Sequence, residues 1–303
     1  MMSVEPPREQ EPAVSYYGQP VLKRPRWGWN VVTYLFLGGI MGGSSLIAAL
    51  ADAGASQSQR RLVRNANRTS LALSIICPLV LISHLGRPER FLHMLRILKL
   101  KSPMSLGVWS LVAFSTIATA SVAGLSPPGI VFVQAVIGSF IAGYTGVLIS
   151  ATAIPIWAKG KRHIPAVSVC SGIASAAALQ SLLLVREGDD AREKLERLEL
   201  AASAAELLIL LDFRRYAGDY GAPMYTGPRG ERFRALTLMA GLTVPLILNS
   251  SRAVLKVRGT LGRVLTVLSA AMTLLGGYVL RETLIEAGKT SADDPRAAFA
   301  QPE

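Results

Sequence analysis

Residues 27–50 read WGWNVVTYLFLGGIMGGSSLIAAL, a run without one charged side chain. As a helix it rises about 36 Å at roughly 1.5 Å per residue, enough to cross a hydrocarbon core about 30 Å thick. Trp27 and Trp29 stand at its start, where belt aromatics anchor a span at the headgroup level. Gly38 and Gly42 are four residues apart, as are Gly39 and Gly43. Small residues at that spacing let helix backbones approach closely in lipid, where the hydrophobic effect does not drive helices together. On these terms the run is a packed transmembrane helix.

The rest of the chain repeats the theme. Half of its 303 residues are apolar and 17% are charged, against about 25% charged in a soluble domain. Further apolar runs lie near 66–85, 106–124, 130–151, 164–185, 197–213, 234–250 and 261–280. With the first, near 31–51, they predict an all-α integral membrane protein: a bundle of eight transmembrane helices. A division into two four-helix halves falls at 158–163. Residues 27–288 form the membrane domain, with a flexible polar tail at 1–26 and a polar C-terminal tail at 289–303. The amino tail has acidic residues and prolines and no apolar core, unlike a signal peptide. Gly138, Ala142 and Gly146 repeat the small-residue spacing on the fourth span. SPPG at 126–129 makes a tight turn. The mixed-charge stretch 186–197 begins the sixth helix, and the Gly- and Tyr-rich connection 212–234 reads as a docking loop.

The net charge of +12 is no nucleic-acid footprint, because the basic residues sit in short connections between apolar runs. Of the 32 Lys and Arg, 20 fall on the side that holds both chain ends. The positive-inside rule therefore places both termini in the cytoplasm. Cys77 and Cys170 lie inside apolar runs and outside any CxxC motif, as buried structural thiols do.

One connection is periodic as well as polar. In SHLGRPERFLHMLRILKLKSPMSLGVW (83–109), Phe91, Leu92, Met94, Leu95 and Leu98 fall on one face, and Arg90, His93, Arg96 and Lys99 on another. This predicts a short interfacial amphipathic helix near 88–101, opened by Pro88. Ser102 and Pro103 then cap and start the third span.

Here the chain resembles the NrfD-like, polysulfide-reductase-type membrane subunits. LGRPERF (85–91) and SPMSLGVW (102–109) match their signature. WGWNVVTYLFLGGIMGGSS (27–45), GYTGVLISATAIPIW (143–157) and AGKTSADDP (287–295) follow in the same order. The resemblance implies a multi-pass protein of a prokaryotic cell (inner) membrane, the quinone-reactive anchor of a respiratory oxidoreductase complex. It implies menaquinone or ubiquinone as exchangeable substrate and a ferredoxin-like iron–sulfur partner, with a molybdopterin catalytic subunit beyond it. Neither haem nor an iron–sulfur cluster is expected in this chain, and its three histidines, His84, His93 and His163, all sit at span ends or in connections. In relatives the quinone head meets polar groups of the first span and a tyrosine of the fourth. That tyrosine corresponds to Tyr144, and Tyr34 falls where a relative has histidine. Asn30 lies one place before a relative's asparagine, whose matching position holds Val31. Asn30 and Tyr34 are four apart on one helix face. His84 and Arg87, where the second span meets the interface, complete the expected quinone set.

A second set is read from spacing. Glu199, Ser203 and Glu206 recur at i, i+4 and i+7 of the sixth span. A carboxylate so deep in lipid is costly and must face the bundle interior, so the stripe is a candidate for proton transfer. Two other functions stay open on the sequence: a solute or ion transporter, although the only Pro-broken candidates, Pro155 and Pro245, do not pair between the two halves as such a fold requires, and a structural anchor without quinone chemistry.

Overall fold

The computed structural model describes residues 22–52, 57–83, 89–96, 98–125, 129–186, 189–255, 257 and 259–295. The described chain forms a helical bundle. Helices α1 (Trp29–Asp52), α2 (Gln57–Ile82), α3 (Arg90–His93), α4 (Pro103–Val122) and α5 (Ile130–Ser150) make the first half. After the short α6 (Pro155–Lys159) come α7 (His163–Leu183) and α8 (Asp189–Ala217). Then follow α9 (Ala222–Tyr225), α10 (Gly227–Arg232), α11 (Val244–Leu255) and α12 (Gly259–Ala292). A π-helix, Phe233–Thr243, joins α10 to α11.

Among the described residues seven helices are long and apolar enough to cross a membrane. The eighth crossing is α8, whose charged first turns lower its hydropathy. Two contacts show that it crosses. Arg24, before α1, lies 3.5 Å from Asp293, after α12, so the number of crossings is even. His163 at the start of α7 meets Asp212 near the end of α8 at 2.9 Å, so α8 runs back beside α7. We call the end of the bundle that holds Arg24 and Asp293 the terminal face, and the other the distal face.

The helices pack as two groups of four, divided at α6. In the first, α1, α2, α4 and α5 form a ring of neighbours; in the second, α7, α8, α11 and α12 do. Helix α1 joins them, touching α2, α5, α7 and α12. Its glycines make this central position possible. A Cβ on Gly42 would overlap the carbonyl of Gly138 on α5, and one on Gly43 would lie 2.7 Å from the carbonyl oxygen of Gly172 on α7. Gly38 and Gly42 thus serve α5, and Gly39 and Gly43 serve α7, as the spacing predicts.

Three expectations change. Among the described residues of the connection 88–101 only Arg90–His93 are helical, Pro88 lying outside them; Met94 and Arg96 close turns onto Phe91 and His93. So short a segment has no long packed face to repay helix nucleation. Ser102 and Pro103 do start α4, with the Ser102 hydroxyl accepting from the Ser105 N–H. The connection 212–234 is no open loop, because α8, α9 and α10 account for most of it and α9 packs on α12. The seventh span is π-helical in its first half. Pro245 has no N–H to continue an α-register, and the Val244 N–H reaches back to Met239. Residues 126–128 of the expected turn lie outside the described residues.

The terminal face is tied together by Trp157 of α6. Its indole N–H donates to the Leu284 carbonyl at 2.8 Å, and its ring stacks on Trp27 at 5.1 Å. Nearby the Ile156 N–H donates to Ser291 Oγ at 3.3 Å.

Candidate functional site

Asn30 and Tyr34 open α1 at the terminal face. The Asn30 amide N–H donates to Ser83 Oγ at 2.7 Å, and Ser83 in turn donates to the Val80 carbonyl at 2.7 Å. This chain fixes the amide against the end of α2. One turn deeper Tyr34 is buried among Val31, Leu35 and Cys77, and it interacts electrostatically with Tyr144 of α5 and with Cys77 of α2. Tyr144 is also buried, its ring stacked on Phe140 at 5.9 Å. Gly107 of α4, within the SPMSLGVW stretch, lies against this ring, and a Cβ there would overlap its Cε1, Cζ and hydroxyl. Gly107 was not singled out from the sequence. Only the meeting of α4 with α5 gives it a role.

The structure thus brings Asn30, Tyr34 and Tyr144 together where α1, α2, α4 and α5 converge. Among the described residues neither Tyr34 nor Tyr144 has a hydrogen-bond partner. Two buried phenols free to donate are what two carbonyl acceptors of a flat ring require. Val31 is buried and apolar. His84 and Arg87 lie outside the described residues.

The second set is separate from this cluster. Glu199, Ser203 and Glu206 are all buried, at 1–2% exposure, on the face of α8 turned toward α7, α11 and α12. Thr273 of α12 donates to Glu199 at 2.7 Å. Glu206 shares Ser171 of α7 with Arg281 of α12, a buried arginine within its electrostatic reach. The Arg281 guanidinium donates to Ser171 Oγ, to the Gly277 carbonyl at 3.0 Å and to the Ser168 carbonyl at 3.3 Å. It is the cationic neighbour of Glu206 inside the bundle, where an isolated ion would be very costly. Sequence reasoning placed Arg281 among the terminal charges and missed this role.

Arg281 also lies close to α1. A Cβ on Gly39 of α1 would meet Arg281 Nη2 at 3.3 Å. One turn before Arg281, the Tyr278 hydroxyl stands 3.4 Å from Thr33 Oγ1, and its ring meets Phe36 edge-on. Thr33 precedes Tyr34. The family model described as Polysulphide reductase, NrfD matches residues 21–292. No curated protein matches the chain.

Proposed function

The chain belongs to the polysulphide reductase, NrfD family, and from that membership we propose that it is the quinone-reactive membrane anchor of an oxidoreductase complex. It exchanges electrons with a ferredoxin-like iron–sulfur subunit, beyond which a molybdopterin subunit carries the terminal chemistry. The observation that carries this reading is the pair of phenols, Tyr34 and Tyr144, buried near the Asn30 amide at one end of the bundle with no hydrogen-bond partner among the described residues. A quinone head bound there supplies two-electron, two-proton chemistry. Tyr144 and Tyr34 donate to its oxygens, Asn30 orients it, and Val31, Phe140 and the Gly107 backbone wall the slot. His84 and Arg87, outside the described residues, complete the proposed quinone set on the strength of their place in the sequence alone. Glu199, Ser203 and Glu206 move the protons.

The terminal face is the docking side for the partner. It lies beside the pocket, its connection 212–234 is built of packed helices, and it presents cationic and aromatic groups. Lys159 Nζ, for instance, stands 4.9 Å from the Tyr216 ring centre. The excess of Lys and Arg on this side supports a cytoplasmic placement. Family membership favours this reading over a transporter, and the free phenols favour it over an anchor without quinone chemistry.

The test is made on the complex purified from native membranes. A soluble quinol analogue should reduce the iron–sulfur clusters of a co-purifying subunit, seen as bleaching of their visible absorbance. Purification without any cluster-bearing protein, or clusters indifferent to quinol, contradicts the proposal.

A further inference from the structure

We infer that the distal half of α2 carries a clamp for the phosphate of an anionic phospholipid, built from Arg61, Arg64 and Arg68. The inference stands apart from the quinone reading and is tested without turnover.

Helix α2 begins at Gln57 and runs from the distal face to the terminal one. Arg61, Arg64 and Arg68 are exposed and follow at i, i+3 and i+7, so they share one face. Leu62, Ala66, Leu73 and Cys77 are buried on another, against the bundle. Further along the arginine face come Ala72, Ile75, Ile76 and Leu79, all exposed. One stripe thus passes from cations to bare hydrocarbon, and an exposed apolar face on a membrane helix meets acyl chains.

A contact between helices sets the depth of this stripe. Ser70 Oγ donates to the Met41 carbonyl of α1 at 3.3 Å. The step from Trp29 to Met41 rises about 18 Å, and that from Ser70 back to Arg68 adds about 3 Å. Arg68 therefore stands roughly 21 Å from the terminal belt, inside a hydrocarbon core about 30 Å thick but near its distal edge. A bare cation is costly there. Its way out is along its own helix. The Cα–Cβ bonds of a helix tilt toward its N-terminus, here the distal end, so Arg68 and Arg64 snorkel toward the distal headgroups.

Among the described residues neither Arg64 nor Arg68 makes a hydrogen bond or ion pair. The first turn of α2 holds no acidic residue, and the positive pole of the helix dipole lies at the same end. Cations so placed call for an anion from outside the chain. Two guanidiniums one turn apart hold one phosphate from two sides, each through paired N–H donors. A free phosphate would answer the charges and leave the apolar continuation bare. A phospholipid of the distal leaflet covers the whole stripe, its phosphate on the arginines and its acyl chains along Ile75, Ile76 and Leu79. The headgroup must be anionic overall, because the cationic end of a zwitterion cancels part of the attraction.

The test uses the full-length chain purified in detergent, washed free of lipid and titrated with phosphatidylglycerol under native mass spectrometry. One phosphatidylglycerol should bind about tenfold or more tighter than phosphatidylcholine. An arginine near a membrane surface contributes about fivefold in affinity. Arg68→Gln should therefore weaken binding about fivefold, and Arg64→Gln with Arg68→Gln about 25-fold. Arg263→Gln, at an exposed position near the distal start of α12, should leave binding unchanged, as should inorganic phosphate added as competitor. Arg68→Gln alone carries the test if the double variant does not survive purification. Absence of a bound phosphatidylglycerol, equal binding of the two lipids, displacement by inorganic phosphate, or an equal loss in Arg263→Gln overturns the clamp. Unchanged binding in Arg68→Gln overturns it as well.

Discussion

Arg281→Met lowers the stability of the folded bundle by about 3–5 kcal/mol, the cost of stripping a buried charge of its partner. The guanidinium is bonded to Ser171, Gly277 and Ser168 and faces Glu206 across Ser171. Without it, the Glu206 carboxylate and the Ser168 carbonyl lose their cationic neighbour, and the space beside Gly39 and Gly277 receives a thioether chain. Glu206→Gln in the same protein removes the uncompensated charge, and replacing both partners of a buried pair is often nearly neutral. The double variant should therefore recover more than half of the loss. Thermal unfolding in detergent, followed by accessibility of the buried thiol Cys77, checks both. If the double variant is as unstable as Arg281→Met alone, the two groups are not coupled.

Tyr144→Phe is expected to leave the fold intact and to depress quinol turnover. The ring still stacks on Phe140 and lies against Gly107. Only the hydroxyl is lost, and nothing among the described residues is bonded to it. A hydrogen bond to a carbonyl that gains negative charge in the reaction is worth about 1–3 kcal/mol, or roughly 5- to 150-fold in rate. Gly107→Ala reaches the same end differently: its methyl displaces the Tyr144 ring, so turnover falls although every polar group remains. Steady-state kinetics with a quinol analogue distinguishes these outcomes from a structural tyrosine. Unchanged kcat and KM in Tyr144→Phe means that the phenol does not meet the substrate.

Much of this was legible in the sequence because membranes simplify its language. The apolar run at 27–50 predicted a membrane helix, and its four-residue glycine spacing predicted close helix packing; the structure adds that the partners are α5 and α7. The i, i+4, i+7 stripe of Glu199, Ser203 and Glu206 predicted an inward-facing polar row. Its complement on α12 was equally periodic: Thr266, Ser269 and Thr273 follow three and four apart, and Gly277 and Arg281 continue the row at four-residue steps.

What failed to show was what depends on two distant helices meeting. Arg281 at the end of an apolar run reads as an interfacial charge until Ser168, Ser171 and Gly39 are seen around it. Gly107 reads as a motif residue until Tyr144 comes against it. The amphipathic pattern after Pro88 promised a longer helix than forms, since periodicity records a tendency and not the packing that would repay nucleation. The Gly- and Tyr-rich stretch at 212–234 promised a loop, because its glycines divide short helices as readily as they open turns.

The central claim is that a quinone head binds between α1 and α5 at the terminal face. Photolabelling the purified complex with an azidoquinone, followed by mass mapping of the peptides, tests it most directly. The account predicts label on the segments carrying Asn30–Tyr34 and Phe140–Tyr144, displaced by excess unlabelled quinone. Label confined to the lipid-facing surfaces of α11 and α12, or undiminished by competitor, would contradict it.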